Sequence, residues 1–341
     1  MGASLAGGTA AATLRQKGFE GSLLLIGAEA HFPYERPPLS KAFLRGEAAF
    51  EEALVKPVGF YRDKGIETRF STTVREVDPS SKVLVTERGE RIPYDRLLIA
   101  TGARNRRFAI PGLDLAGVID LRTVGDAERI RAEAQSARRV VIAGMGFIGS
   151  EVAASLRKLG LEVCVVEGGA VPLERVLGAG IGRVLEGIHR DHGVEMYFKD
   201  RVAAFQGTRR VEEVVTAEGR RLPCDFAVVG FGVEPVTDLV QGSDIAVDNG
   251  ILVDEFCRTN VPDVFAAGDV ANHFHPVFGQ RMRTEHWQNA IRPPPSLVRG
   301  TSNGAELYRT LGRRVKRTAT KRKNLEGPDA SGELRSSGKR G

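Results

Sequence analysis

RVVIAGMGFIGSEVAASLRKLGLEVCVVE, from Arg139 to Glu167, decides the fold. It opens with a short β-branched run, turns at Gly144-Met145-Gly146, and continues in a segment with the character of a helix, Ser150 to Leu159. A second β-branched run then ends at Glu167, 23 residues after Gly144. Strand, glycine turn, helix and strand with a terminal acid make up a βαβ dinucleotide-binding unit. Gly144 permits the tight turn, Gly146 lets the backbone approach a pyrophosphate, and Gly149 lets helix pack on strand. The helix N-terminus offers free N–H groups to phosphate. A carboxylate at Glu167 suits the adenine ribose hydroxyls and repels a 2′-phosphate, so NADH is expected over NADPH.

Working outward, the N-terminus carries an altered copy of the same device. GASLAG puts Gly2 and Gly7 at the outer glycine positions with Ser4 between them. A helical segment from Gly8 to Lys17 follows, then the apolar run LLLIG (Leu23 to Gly27), and Glu29 stands 27 residues after Gly2. Only Met1 precedes the turn, so the strand that would feed it is expected to be missing. Read alone, the stretch is also compatible with an ordinary Ala/Gly-rich helix start. Further strands are expected at KVLVTE, RLLIATG, Asp225 to Gly230 and VFAAGD (Val264 to Asp269). Strands alternating with helices predict an α/β chain with two doubly wound, Rossmann-like nucleotide-binding domains. Two dinucleotide folds in one chain suggest a nicotinamide carrier and a flavin, because hydride transfer needs a donor ring and an acceptor ring in contact.

Composition limits the alternatives. The chain has 341 residues and a formal charge of +6. Of its 49 Lys+Arg and 43 Asp+Glu, 13 and 4 lie from Arg292 onward, so the tail carries +9 and the rest −3. The body therefore has no compositional case for nucleic-acid binding. Residues 292–341 read as a disordered basic tail with at most one helix, Glu306 to Val315. A nucleic-acid anchor is a rival reading of that tail. Cys164, Cys224 and Cys257 form no CxxC pair, and His273, His275 and His286 lack metal-ligand spacing, so no metal site is expected. The cysteine usage fits a reducing, cytoplasmic compartment, and no apolar run reaches the roughly 20 residues of a membrane span.

PYERPPLSK (Pro33 to Lys41), ATG (Ala100 to Gly102), LRT around Arg122, VGFGVEP, FAAGD ending at Asp269 and EHWQNA (Glu285 to Ala290) occur in one order. In this the chain resembles the FAD-dependent ferredoxin and rubredoxin reductases of bacterial oxygenase systems, the putidaredoxin reductase type, over residues 2 to about 291. The resemblance implies an enzyme in which NADH reduces FAD and the flavin passes electrons singly to a 2Fe–2S ferredoxin or a rubredoxin. It implies that Gly2, Ala6 and Gly7 cradle the FAD pyrophosphate and that Glu29 holds its ribose. It places Lys41 near flavin N5, Val74, Arg122 and Asp269 against FAD, and Trp287 by the ring edge. Glu151 matches an acidic residue beside the nicotinamide and is expected to pair with Lys41 as the catalytic pair. Gly144, Gly146, Gly149 and Glu167 would hold NAD. No cysteine precedes Cys164, so electron transfer to a protein disulfide beside the flavin is not expected.

The resemblance also implies a discontinuous FAD-binding domain, 1–110 with 235–291, and an inserted NAD(H)-binding domain, 111–234. From Arg292 the sequence departs from the family, whose members continue into a β-rich C-terminal domain. The Pro/Arg/Gly/Ser bias there is that of a GC-rich frame read out of phase, and a frameshift near codon 292 is expected. The rival to an active reductase is a defective fragment that binds NADH but holds no FAD.

Overall fold

The computed structural model describes residues 1–291. The expectations of disorder, of a helix at Glu306 to Val315 and of a nucleic-acid anchor all fall on 292–341 and lie outside the described residues.

The chain runs through a first nucleotide-binding unit, a second, and back to the first. The first pass comprises α1 (Leu5–Gln16), β1 (Leu24–Ile26), α2 (Val58–Asp63), β2 (Glu67–Arg69), β3 (Val74–Asp78), β4 (Val83–Thr86), β5 (Arg91–Pro93), β6 (Leu97–Ile99) and β7 (Ala103–Asn105). The second unit holds β8 (Val118–Asp120), α3 (Val124–Ala134), β9 (Arg139–Ala143), α4 (Phe147–Lys158), β10 (Glu162–Glu167), α5 (Glu174–Asp191), β11 (Val194–Phe198), β12 (Val202–Gln206), β13 (Glu213–Thr216), β14 (Arg221–Pro223) and β15 (Phe226–Val229). The return pass adds β16 (Val233–Pro235), β17 (Ile251–Val253), β18 (Val264–Ala266), β19 (Ala271–His275), β20 (Gln280–Arg283) and α6 (Trp287–Ile291).

The second unit is the more regular. Its parallel sheet has the order β11-β10-β9-β15-β8. β15 is buried at every residue and β9 at all but Arg139, as expected of central strands covered on both faces. Val140, Ile142, Val165, Phe226 and Val228 pack there against Val152, Ala153 and Leu156 of α4. Each such side chain contributes about 1.5–3 kcal/mol by leaving water. That packing fixes the β9–α4 turn rigidly in place.

In the first unit, β1 pairs with β2 and β6 with β18, all parallel, but β1 and β6 are not joined by a strand. The Met1–Gly2 backbone bridges them instead. The Met1 amino group donates to the Leu98 carbonyl at 2.9 Å, Ala100 N–H to the Met1 carbonyl, and Gly2 N–H to the Ile26 carbonyl, the last two at 2.8 Å. The short apolar runs at Leu24–Ile26, Leu97–Ile99 and Val264–Ala266 thus adopt the parallel pairings that the sequence predicts. KVLVTE does not. It forms the middle of an antiparallel meander, β3-β4-β5, matched in the second unit by β12-β13-β14. Connections of only four to six residues between these strands leave no room for the helix a parallel crossover needs. The two passages between units run side by side as the antiparallel pair β7–β16.

Candidate functional site

At the β9–α4 turn, Gly144 has φ +101°, and a Cβ there would fall 2.5 Å from the Gly230 carbonyl oxygen. A Cβ on Gly149 would fall 2.0 Å from the Gly144 carbonyl oxygen. Neither position admits a side chain, and together they bring the start of α4 down onto the strand. Gly146 is different. It caps α4 at φ −73°, and a Cβ there would meet nothing within 4 Å among the described residues. The protein itself does not demand glycine at this position. A pyrophosphate lying on the turn would, and the uncapped N–H groups of α4 face the same space. Glu167 ends β10 with its carboxylate fixed by two backbone donors, Met145 N–H and Gly169 N–H, each at 2.6 Å. The residues fit an adenine dinucleotide with free ribose hydroxyls.

The first unit repeats the arrangement. Gly2 has φ +95°, and its Cβ would fall 2.1 Å from the Ala100 carbonyl oxygen; a Cβ on Gly7 would fall 1.9 Å from the Gly2 carbonyl oxygen. Ser4 caps α1 without a side-chain hydrogen bond. Ala6 lies under the Gly268 turn, where an added Cβ would stand 3.1 Å from its own. Beside this turn stand two acids and two arginines. Arg36 pairs with Glu29 at 2.8 Å and donates to the Arg122 carbonyl, while Arg122 pairs with Asp269 at 2.9 Å. Tyr34 donates its hydroxyl to Glu29 and takes the Val124 N–H at 3.2 Å.

The electrostatics of this cluster are uneven. Burial opposes the Arg36 cation, but Tyr34 and Glu29 outweigh it and raise the Arg36 pKa above its ordinary value. Arg122 goes the other way. Burial, then repulsion from Arg36, lower its pKa despite the pull of Asp269. Its Nε is buried with no hydrogen-bond partner among the described residues. An unpaired donor on a buried cation is costly, and an anion placed here would relieve both the desolvation and the repulsion. The cluster fits the phosphate and ribityl side of FAD.

The 3₁₀ turn Pro37–Ser40 of the first unit meets α4 of the second. Lys41 Nζ lies 2.6 Å from Glu151 Oε2 and donates to the Pro37 carbonyl at 3.2 Å. Val74 opens β3 and packs on the core formed by Ile26, Ile99 and Ala266. Trp287 begins α6, 42% exposed, with its ring 5.8 Å from that of His286.

This geometry has known counterparts. The sequence signature described as pyridine nucleotide-disulphide oxidoreductase matches residues 1–293. The chain belongs to the pyridine nucleotide-disulphide oxidoreductase family. It is 41% identical over 271 residues to the biphenyl dioxygenase system ferredoxin–NAD(+) reductase component of Paraburkholderia xenovorans, covering 80% of this chain and 66% of that one. A crystal structure of a ferredoxin reductase from Rhodopseudomonas palustris superposes with a TM-score of 0.84 at 35% identity, over 91% of this chain and 74% of that one. The putidaredoxin reductase of a covalent complex with putidaredoxin superposes at 0.86 with 30% identity, over 92% and 74%. The chain thus spans 66% to 74% of the length of these relatives.

Despite the disulphide in the family's description, no cysteine of this member stands at the site. Burial pushes the thiols of Cys164, Cys224 and Cys257 up to about 12, which keeps them protonated and unreactive. No group of three or more potential metal ligands occurs among the described residues, and none of their helices is long and apolar enough to cross a membrane. Sequence reasoning passed over Tyr34 and Arg36, although both lie in the PYERPPLSK motif. The available signal was the pairing of an arginine in that motif with an acid at the end of the preceding strand.

Proposed function

We propose that this oxidoreductase takes electrons from NADH through FAD to a small iron–sulfur protein, a 2Fe–2S ferredoxin or a rubredoxin, in the cytoplasm. One observation carries the reading. An ion pair joins the two units, Lys41 from the first and Glu151 from the second, the latter in the helix that starts at the second glycine turn. A bound flavin would supply the change from two-electron hydride acceptance to one-electron release.

The protein's own part is binding, orientation and charge. Gly144, Gly146, Gly149 and the start of α4 hold the NADH pyrophosphate, and Glu167 takes the ribose hydroxyls and excludes a 2′-phosphate. Gly2, Ala6 and Gly7 would hold that of FAD, Glu29 its ribose, Arg122 and Asp269 its phosphate and ribityl side, and Val74 and Trp287 would lend apolar surface. Lys41 and Glu151 place a cation and a carboxylate at the junction of the two units, where they would orient the bound nucleotides and set the field around them. The domains that divide this labour are 1–110 with 235–291, for FAD, and the inserted 111–234, for NAD(H). The β7–β16 pair at the two crossings supports those boundaries.

Cytochrome c reduction by NADH, relayed through an added 2Fe–2S ferredoxin or rubredoxin, tests the proposal. Turnover that needs NADH, the flavoprotein and the iron–sulfur protein together is expected. Flavin reduction without onward transfer to either carrier would remove the proposed partner. A protein that binds NADH but takes up no FAD would be the inactive fragment.

A further inference from the structure

Buried against the ion pair is a hydroxyl with no role so far. Ser40 ends the Pro37–Ser40 turn and is 1% exposed. Its Oγ stands 2.5 Å from Glu151 Oε2, the same oxygen that Lys41 meets at 2.6 Å. The Pro37 carbonyl, at 3.3 Å, competes for the single hydroxyl proton. A short bond to a carboxylate is about twice as strong as a neutral one, so the proton goes to Glu151. Ser40 also accepts from α4: Ser155 Oγ donates to its carbonyl at 2.6 Å, and Arg45 in turn donates to Ser155 Oγ at 3.1 Å. Glu151 and Ser155 are one turn apart on the same face of the helix. One residue of the first unit therefore grips α4 of the second at two successive turns, once by side chain and once by backbone.

The ion pair needs such a grip. The Lys41 and Glu151 side chains are 44% and 30% exposed, and a half-open pair of long side chains holds its geometry poorly by itself. With Oε2 fixed between Lys41 and Ser40, the carboxylate keeps one orientation and Oε1 remains for what lies between the units.

Resting on the function proposed above, we infer that Ser40 is a positioning residue for hydride transfer, acting through Glu151. The test is anaerobic stopped-flow reduction of the FAD-loaded protein by NADH. In Ser40→Ala the limiting rate of flavin reduction falls about tenfold, the loss expected for one hydrogen bond to a charged group. FAD content and the NADH dissociation constant stay within about twofold, and Ser40→Thr recovers most of the rate. In a Glu151→Gln background, Ser40→Ala costs less than about twofold more, because residues that act as one unit are not additive.

A wild type that reduces normally beside an unaffected Ser40→Ala overturns the inference alone, as does a full tenfold loss that persists in Glu151→Gln. Should Ser40→Ala shed its flavin, Ser40→Thr against Ser40→Cys decides. A slower Cys variant, with its weaker donor and intact fold, supports the role, and equal rates overturn it. A wild-type flavin that NADH leaves oxidised overturns the underlying function and the inference with it.

Discussion

Arg122 bears a buried charge that its surroundings only partly balance. It has one carboxylate partner, Asp269, a neighbouring cation, Arg36, and an idle Nε. Removing it should leave the fold intact and weaken FAD: Arg122→Ala is expected to raise the FAD dissociation constant about tenfold or more, read by quenching of flavin fluorescence on titration. Arg122→Lys keeps the charge without the planar fork and should fall between. Glu167 acts by a different route, through lone pairs held in place by two backbone N–H groups. Glu167→Ala should weaken NADH about tenfold and narrow its advantage over NADPH, as the ratio of kcat/KM values with the two nucleotides will show.

The three glycines of the second turn look alike in sequence but differ as parts of an element. Gly149→Ala drives a Cβ to 2.0 Å from a backbone oxygen and should destabilise the unit and its binding together. Gly146→Ala enters open space at an ordinary φ. It should leave the melting temperature within about 2 °C of wild type yet raise the NADH dissociation constant at least about tenfold. Thermal unfolding and NADH titration on the same sample check both halves.

Legibility follows the same division. The βαβ pattern from Arg139 to Glu167 was readable because glycine spacing and a terminal acid are local. Lys41 and Glu151 were expected to pair, 110 residues apart, only through the resemblance, and the structure puts them in contact. The KVLVTE strand was read as one of an alternating α/β series because a short apolar run looks the same in either sheet; its turns, not its composition, make it antiparallel. Ser40 gave no signal, since a buried serine becomes informative only once its acceptor is known.

At the scale of the whole molecule, several basic groups are buried uncharged. Burial lowers the Met1 amine from 8.0 to about 5 and His273, which also faces His275 and Arg281, from 6.5 to about 4. His189 is lowered too, by burial and then by His192. Each binds a proton more readily unfolded than folded, so stability rises with pH between these limits: complete above pH 8, it is lost as pH falls, the Met1 part down to about 5 and the His273 part down to about 4. The slope is at most about 1.4 kcal/mol per pH unit for each group. Urea unfolding should show a lower midpoint at pH 5 than at pH 8, and His273→Gln should flatten the part below pH 6.5.

The same Met1 amine helps bridge β1 and β6 beside the first glycine turn, so flavin binding is the most exposing trial of the whole arrangement. The deciding measurement is the visible spectrum of the purified protein, loaded with FAD and then given NADH without oxygen. Flavin bands near ~450 nm that bleach on adding NADH are predicted, because both turns must hold their nucleotides and the Lys41–Glu151 pair must join them. A colourless protein, or a bound flavin that NADH leaves oxidised, would contradict the account.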